Sequence, residues 1–172
     1  MKHFYKKIEG WFNYPGIYSS MVNKFQDGAI FVEVGCWKGM SASYMAVEIA
    51  NSNKKIDFYC VDGWWMGTYE IFKSNTKRVK EYIKPLRMTS LEAAQTFNDQ
   101  SIDFVFIDAD HHYDNVKADI EAWYSKVKKG GVIAGHDYRE ARPGVIQAVD
   151  EFCANNNFIA QIEKGSWIIF ND

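Results

Sequence analysis

The stretch Ile30 to Ala46, reading I-F-V-E-V-G-C-W-K-G-M-S-A-S-Y-M-A, constrains this chain more than any other. Ile30 to Val34 is a short run rich in β-branched and aromatic residues, the composition of a strand buried on both faces. Gly35 and Gly39 bracket a tight turn, and Ser41 to Ala50 follows with the apolar spacing of a helix. Such a strand, glycine turn and helix let backbone approach a ligand closely, because glycine carries no Cβ. The free N–H groups of the helix start then point at whatever anionic group the ligand bears. The stretch is a candidate cofactor cradle.

Spacing narrows the choice of cradle. A phosphate loop ends in Gly-Lys-Ser/Thr, whereas here Lys38 precedes Gly39 and Met40 follows it, so lysine and hydroxyl are wrongly placed. The dinucleotide fingerprint G-x-G-x-x-G needs its second glycine where Trp37 stands, and an indole there keeps backbone away from a pyrophosphate. What remains is E-x-G-x-x-x-G, with Glu33 inside the strand. Glu33 to Ala42 resembles the first motif of the class I S-adenosylmethionine-dependent methyltransferases, in particular the catechol O-methyltransferase type. By that resemblance Glu33 holds the methionine amino group directly or through water, Gly35 admits it, Gly39 closes the turn, and Ser41 holds the methionine carboxylate at the helix start. Taken alone, the motif also fits an ordinary βα turn of another α/β protein.

A chain of 172 residues suits one domain with a core that needs neither disulfides nor structural metal. The formal net charge of −2, with acids and bases interspersed, argues against a nucleic-acid groove as the main working surface. Cys36, Cys60 and Cys153 are widely spaced and odd in number, which suits free, buried thiols in a reducing compartment. No apolar run is long enough to cross a bilayer and Met1 to Gly10 lacks the apolar core of a signal peptide, so the expected location is cytoplasmic.

Residues 1–28 form an aromatic-rich preface that Pro15-Gly16 splits, with helical spacing from Ile17 to Phe25. Its aromatics either pack over the sheet or against a second copy in a homodimer, or Trp11, Phe12 or Tyr14 closes over the cofactor as a lid. Residues 29–172 form the main domain. A second strand, Ile56 to Val61, ends at Asp62-Gly63, where an acid is placed to accept hydrogen bonds from ribose hydroxyls. Trp64, Trp65 and Met66 follow as an apolar cluster suited to one face of adenine or to a subunit contact. Thr68 to Lys84 has the pattern of a basic amphipathic helix ended by Pro85, and Leu86 to Met88 that of a short third strand. Thr89 or Ser90 is the N-cap of a helix over Leu91 to Phe97. In the resembling family Ser90 falls where polar contacts to adenine are made.

Ser101 to Asp119 is the richest stretch. A fourth strand, Ile102 to Ile107, delivers Asp108, Asp110, His111 and His112 to its C-terminal end, where open α/β sheets bind ligands. Several ionisable groups at an apolar strand end are costly unless paired or metal-bound. The following helix is expected over Tyr113 to Val127, closed by Lys128-Lys129-Gly130-Gly131, and a fifth strand, Val132 to Gly135, ends in His136-Asp137-Tyr138. Asp108 and His136-Asp137 then converge from neighbouring strand ends as an oxygen and imidazole set suited to magnesium or manganese. A helix from Pro143 to Cys153 and two strands, Phe158 to Ile162 and Ser166 to Phe170, close the chain.

The sequences F-I-D-A-D-H and K-K-G-G-V-I-A-G-H-D-Y resemble the metal-dependent O-methyltransferases, more closely the branch associated with sugar and antibiotic tailoring. The resemblance implies a Rossmann-like, mostly parallel α/β sheet with an antiparallel last strand and helices on both faces. It implies S-adenosylmethionine over Glu33, Gly35, Gly39, Ser41, Asp62, Trp64, Ser90 and Asp108, and a divalent ion on Asp108, His136 and Asp137. His111 stands in the place of the catalytic lysine of the catechol-type motif and is the expected general base, with Asp110 orienting it or adding a ligand and His112 solvated. Catechol enzymes carry an acid then an amide where this chain has His136 then Asp137, which separates it from them. The expected acceptor is a small-molecule hydroxyl, first on a sugar or glycoside and second on a catechol-like phenol. No membrane partner is expected. Other classes remain open from sequence: a cofactor-binding partner subunit without turnover, or a nicotinamide-dependent sugar enzyme.

Overall fold

The computed structural model describes the backbone of residues 1–172 and every side chain except that of Met66. Seven strands, β1 (Ile30–Val34), β2 (Asp57–Asp62), β3 (Lys84–Arg87), β4 (Ile102–Ile107), β5 (Val127–Gly135), β6 (Gln161–Glu163) and β7 (Ser166–Asn171), form one sheet. Its order is β3-β2-β1-β4-β5-β7-β6. The first five strands are parallel, while β7 runs antiparallel to both β5 and β6. Six α-helices surround the sheet: α1 (Pro15–Lys24), α2 (Met40–Ser52), α3 (Thr68–Thr76), α4 (Ser90–Gln95), α5 (Tyr113–Tyr124) and α6 (Pro143–Asn156). This is the Rossmann-like arrangement expected from the sequence, closing antiparallel strand included.

The period of two along each strand divides the core. Phe31, Phe58, Phe104 and Phe106 point to one face, where Tyr14, Ile17, Tyr18, Met21 and Val22 of the N-terminal segment and Met45, Ala46 and Ile49 of α2 meet them. Val32, Val34, Val61, Val105 and Ile107 point to the other, against Val116, Ile120 and Trp123 of α5 and Val145, Ala148 and Val149 of α6. Burial of each large apolar side chain contributes roughly 1.5–3 kcal/mol before chain entropy is counted. Pro15 does not break a helix: it occupies the first turn of α1, where its missing N–H costs nothing.

Three local expectations are corrected. The segment expected as one helix to Lys84 is α3 followed by a 3-10 helix, Lys77–Tyr82, in which Val79 departs from helical angles and is buried. Pro85 lies inside β3, and an edge strand with parallel pairing on one side alone tolerates the lost donor. The lysine and glycine run expected to close α5 belongs to β5, whose pairing with β4 shifts register between Ile102 and Phe104. Gly130 takes a φ of 77°, and a Cβ on Gly131 would lie 2.7 Å from Val127 Cγ1, so the two glycines accommodate a bulge. Finally, α6 runs on to Asn156 because Asn157 supplies the left-handed residue that ends it, and Phe158 is drawn into packing with Tyr124 and Phe152 instead of opening β6. No helix among the described residues is long and apolar enough to cross a membrane.

Candidate active site

Chain order reverses between β1 and β4, and at this switch point the strand ends separate to leave a crevice. The two ends touch at their base: Gly35, with φ of 91°, has room for no Cβ, which would lie 2.1 Å from the Asp108 carbonyl oxygen. Gly35 N–H donates to Val61 O at 2.9 Å and Asp108 N–H to Val34 O at 2.8 Å, so β1, β2 and β4 are tied together immediately below the crevice. His136 N–H, donating to Ile107 O at 3.0 Å, adds β5.

Above these ends lies a cavity of two lobes that share Trp11, Gly35, Trp37 and Asp108. The first lobe, about 800 Å³, is lined by Asp62, Gly63, Trp65, Thr89, Ser90, Leu91, Ala109, Asp110, Asn115 and Asp119 among others. It contains four aspartates, counting the shared Asp108, and no lysine, arginine or histidine. Asp62 accepts from Trp37 N–H at 2.8 Å and Trp64 N–H at 2.6 Å, which aims its carboxylate from the end of β2. Thr89 and Glu92 form a reciprocal capping box at the start of α4, and Ser90 Oγ accepts from Trp123 Nε1–H at 2.9 Å. Trp64 is fully buried against Tyr69 and Phe72 and donates its Nε1–H to Trp37 O. The indole on the cavity wall is that of Trp65, folded so closely over Gly63 that a Cβ there would lie 2.4 Å from it. The Met66 side chain, part of the expected adenine cover, lies outside the described residues.

Asp119 escaped the sequence reading. It is buried on the inner face of α5, lines the first lobe, and burial raises its pKa to about 6. Its signal was present in the sequence: it shares the stripe of Val116, Ile120 and Trp123, where a carboxylate is out of place unless something polar faces it.

Glu33 sits beneath the cavity, 1% exposed, with Ser41 Oγ donating to its Oε1 and no partner for its Oε2. Burial pushes its pKa up to about 8, against the opposing Ser41 hydrogen bond. Ser41 itself lines the second lobe, whereas Gly39 lines neither: its missing Cβ lets Thr76 and Phe72 of α3 approach.

The second lobe, about 660 Å³, brings together Asp108, His111, His136, Asp137, Arg139 and Arg142 with Lys38 of the β1–α2 turn and Ser41 of α2. Asp108, raised to about 7 by burial, accepts from Tyr14 Oη at 2.9 Å. Asp137, held at φ of 60°, places Oδ2 2.5 Å from His111 Nε2 and Oδ1 2.5 Å from Arg139 Nη2. The carboxylate against His111 is therefore Asp137. Asp110 turns instead to His112 and Asn115; although its partial burial opposes ionisation, their hydrogen bonds hold it at about 2. His112 is solvated, with its side chain 87% exposed. The N-terminal segment reaches this cluster as well, since Asn13 Oδ1 lies 2.9 Å from His136 Nε2.

Asp108, His136 and Asp137 offer one donor atom each within 4.8 Å of one another. If Nε2–H of His136 donates to Asn13, its Nδ1 lone pair faces Asp108 Oδ1 at 3.8 Å and Asp137 Oδ1 at 3.5 Å. Asp137 is buried and Asp108 and His136 are half-buried, so three converging electron-rich atoms favour a proton or a cation among them, a need that Arg139 partly meets at Asp137; two oxygens with one nitrogen suit a hard or borderline divalent ion. The donor set fits such an ion, with Arg139 competing for Asp137. A second group, Glu33, Cys36 and Cys60, is wholly buried and lines neither lobe as a set.

This sheet order, with an acidic lobe at the switch point and an ionisable cluster beside it, defines a Rossmann-like methyltransferase architecture. Residues 32–138 match the family model described as a methyltransferase domain, which covers more than half of the chain. The chain belongs to this methyltransferase-domain family, whose chemistry is S-adenosylmethionine-dependent. Among curated relatives, the mimivirus protein R132 of Acanthamoeba polyphaga mimivirus is 31% identical over 88% of this chain and 69% of its own length. Among solved structures, a protein provisionally titled caffeoyl-CoA O-methyltransferase from Staphylococcus aureus superposes with a TM-score of 0.74 at 15% identity, over 97% of this chain and 87% of its own. A Streptococcus mutans protein provisionally described as a methyltransferase, in complex with S-adenosylhomocysteine, gives 0.67 at 9% identity, over 93% and 98%. At these identities the structural likeness concerns the fold.

Proposed function

We propose that this methyltransferase transfers the methyl group to a hydroxyl oxygen of a small molecule, a sugar or glycoside first and a phenol second, with a divalent ion assisting. The observation that carries the reading is the His111–Asp137 pair beside Asp108 and His136, at the junction of an acidic lobe and a polar one. An acidic lobe without basic residues favours a sulfonium cation and ribose hydroxyls, which matches S-adenosylmethionine in the first lobe. Asp62 is the ribose ligand in this reading, Ser90 and Asp119 face the adenine end, and Trp65 covers it. Glu33 acts through Ser41 on the methionine end.

S-adenosylmethionine, when bound, supplies an electrophilic methyl carbon. Methyl transfer to oxygen then needs a nucleophile held in line and relieved of its proton. Asp137 engages His111 at Nε2, which leaves Nδ1 to take the hydroxyl proton and stabilises the resulting imidazolium. Magnesium or manganese, when bound by Asp108, His136 and Asp137, supplies positive charge that lowers the pKa of an acceptor hydroxyl. Tyr14 fixes Asp108, and Asn13 fixes the His136 ring, so the N-terminal segment serves the site it covers. Trp11 and Trp37, near-parallel at 15° with centroids 6.4 Å apart, stand where the two lobes meet.

The test is a methyl-transfer assay over sugar and phenol acceptors with added manganese, alongside His111→Ala. The variant should lose at least about 100-fold in turnover while binding S-adenosylhomocysteine as the parent does. Undiminished turnover would remove His111 as the base, and full activity in chelator would remove the metal.

A further inference from the structure

The four aspartates of the first lobe are not equally provided with donors. Asp62 accepts two backbone N–H groups, Asp110 is held by His112 and Asn115, and Asp108 by Tyr14. Asp119 receives, among the described residues, the hydroxyl of Ser90 alone. That hydroxyl is oriented from behind: Trp123 Nε1–H donates to Ser90 Oγ at 2.9 Å, which occupies a lone pair and leaves the hydroxyl hydrogen for Asp119. The chain from Trp123 through Ser90 to Asp119 thus runs from the aliphatic core, where Trp123 is fully buried, to the wall of the lobe. Asp119 is itself 6% exposed, and no lysine, arginine or histidine lines the lobe to balance it. A carboxylate so withdrawn from water, with acceptor positions to spare, is stabilised by a donor that a ligand brings. Met88, Leu91, Ala118 and Trp65 line the same lobe as apolar surface, which suits the faces of a flat ring whose polar groups lie at its edge.

We propose that Asp119, oriented by Ser90 and Trp123, selects a 6-amino purine in the first lobe by accepting a hydrogen bond from the exocyclic amino group of the cofactor's adenine. The inference rests on the reading of that lobe as the S-adenosylmethionine site and names the residue that sets its base specificity. An amino group presents N–H to the carboxylate, whereas a 6-oxo purine sets a carbonyl oxygen against it, two acceptors face to face in a place poor in water. Asp119 stands one helical turn beyond Asn115 on the face of α5 that lines the lobe, so a helix packed on the sheet holds it in place.

The experiment is a calorimetric titration of the full chain with S-adenosylhomocysteine and with S-inosylhomocysteine, in which a carbonyl replaces the 6-amino group. It is run at pH 8, above the value of about 6 to which burial raises Asp119, so that the carboxylate is ionised. The parent should bind the adenosyl compound about tenfold or more tightly than the inosyl one. Asp119→Ala should reduce that preference to about twofold or less, chiefly by weakening the adenosyl compound. Asp119→Asn keeps the shape of the side chain and adds a donor for a carbonyl; it should narrow the preference by improving the inosyl compound, and it carries the comparison if the alanine variant does not fold. Equal affinities in the parent would overturn the inference. So would variants that lose affinity for both compounds alike with the preference intact, since that is the mark of a residue that supports the wall without reading the base. Failure of the parent to bind either compound would instead strike the reading of the first lobe itself, and the inference with it.

Discussion

Glu33 is buried with one oxygen bonded to Ser41 and the other without a partner, an arrangement that suits a protonated carboxyl better than an ion. Burial raises its pKa from 4.5 to about 8 in the folded chain. Between those values the unfolded chain releases the proton while the folded chain keeps it, so the folded state binds more protons and stability falls as pH rises. The slope within the window is at most roughly 1.4 kcal/mol per pH unit, with no contribution from this group below or above it. Glu33→Gln, which imitates the protonated acid, should remove that component. Urea midpoints of parent and variant measured across the window should converge or cross as pH rises, and curves that stay parallel would show that Glu33 is ionised in the fold. Asp108 and Asp119 are raised as well, but both chains share them and the difference isolates Glu33.

At the scale of elements, the β1–α2 turn and its contact with β4 hold the crevice in shape. Gly35→Ala adds a left-handed non-glycine residue and a clash with rigid backbone at Asp108 and Ala109, together roughly 3 kcal/mol or more of lost stability. Gly28→Ala is the control, since Gly28 has φ of 83° but nothing within 4 Å of the added Cβ, and should cost about 1 kcal/mol. Equal losses of thermal stability in the two variants would show that the Gly35 contact does not matter. That turn was legible in the sequence because its glycines, strand and helix all agree. The split of α3 and the bulge in β5 were not. Val79 and Pro85 obey burial and sheet pairing that a helical pattern cannot reveal, and Gly130-Gly131 suits a helix end and a bulge equally well. The aspartate and histidine clusters were visible as types, whereas their pairing depended on side-chain direction. His111 meets Asp137 from the next strand end in preference to Asp110 from its own loop, and of the two indoles expected together in one cluster Trp64 goes to the core while Trp65 stays on the wall.

Over the whole molecule, one sheet separates an aromatic face, covered by the N-terminal segment, from an aliphatic face covered by α5 and α6. Both contribute to the cavity at its switch point: Trp11, Asn13 and Tyr14 from the first, Asp119 and the α6 start from the second. The resulting division sets an acidic lobe, suited to a cationic cofactor, beside a mixed lobe suited to the chemistry. Calorimetric titration with S-adenosylhomocysteine of the parent, Asp62→Ala and His111→Ala tests it most directly. Expected are micromolar binding to the parent, a loss of about tenfold or more in Asp62→Ala, and no change in His111→Ala. Absence of binding to the parent, or loss in His111→Ala with Asp62→Ala unaffected, would contradict it.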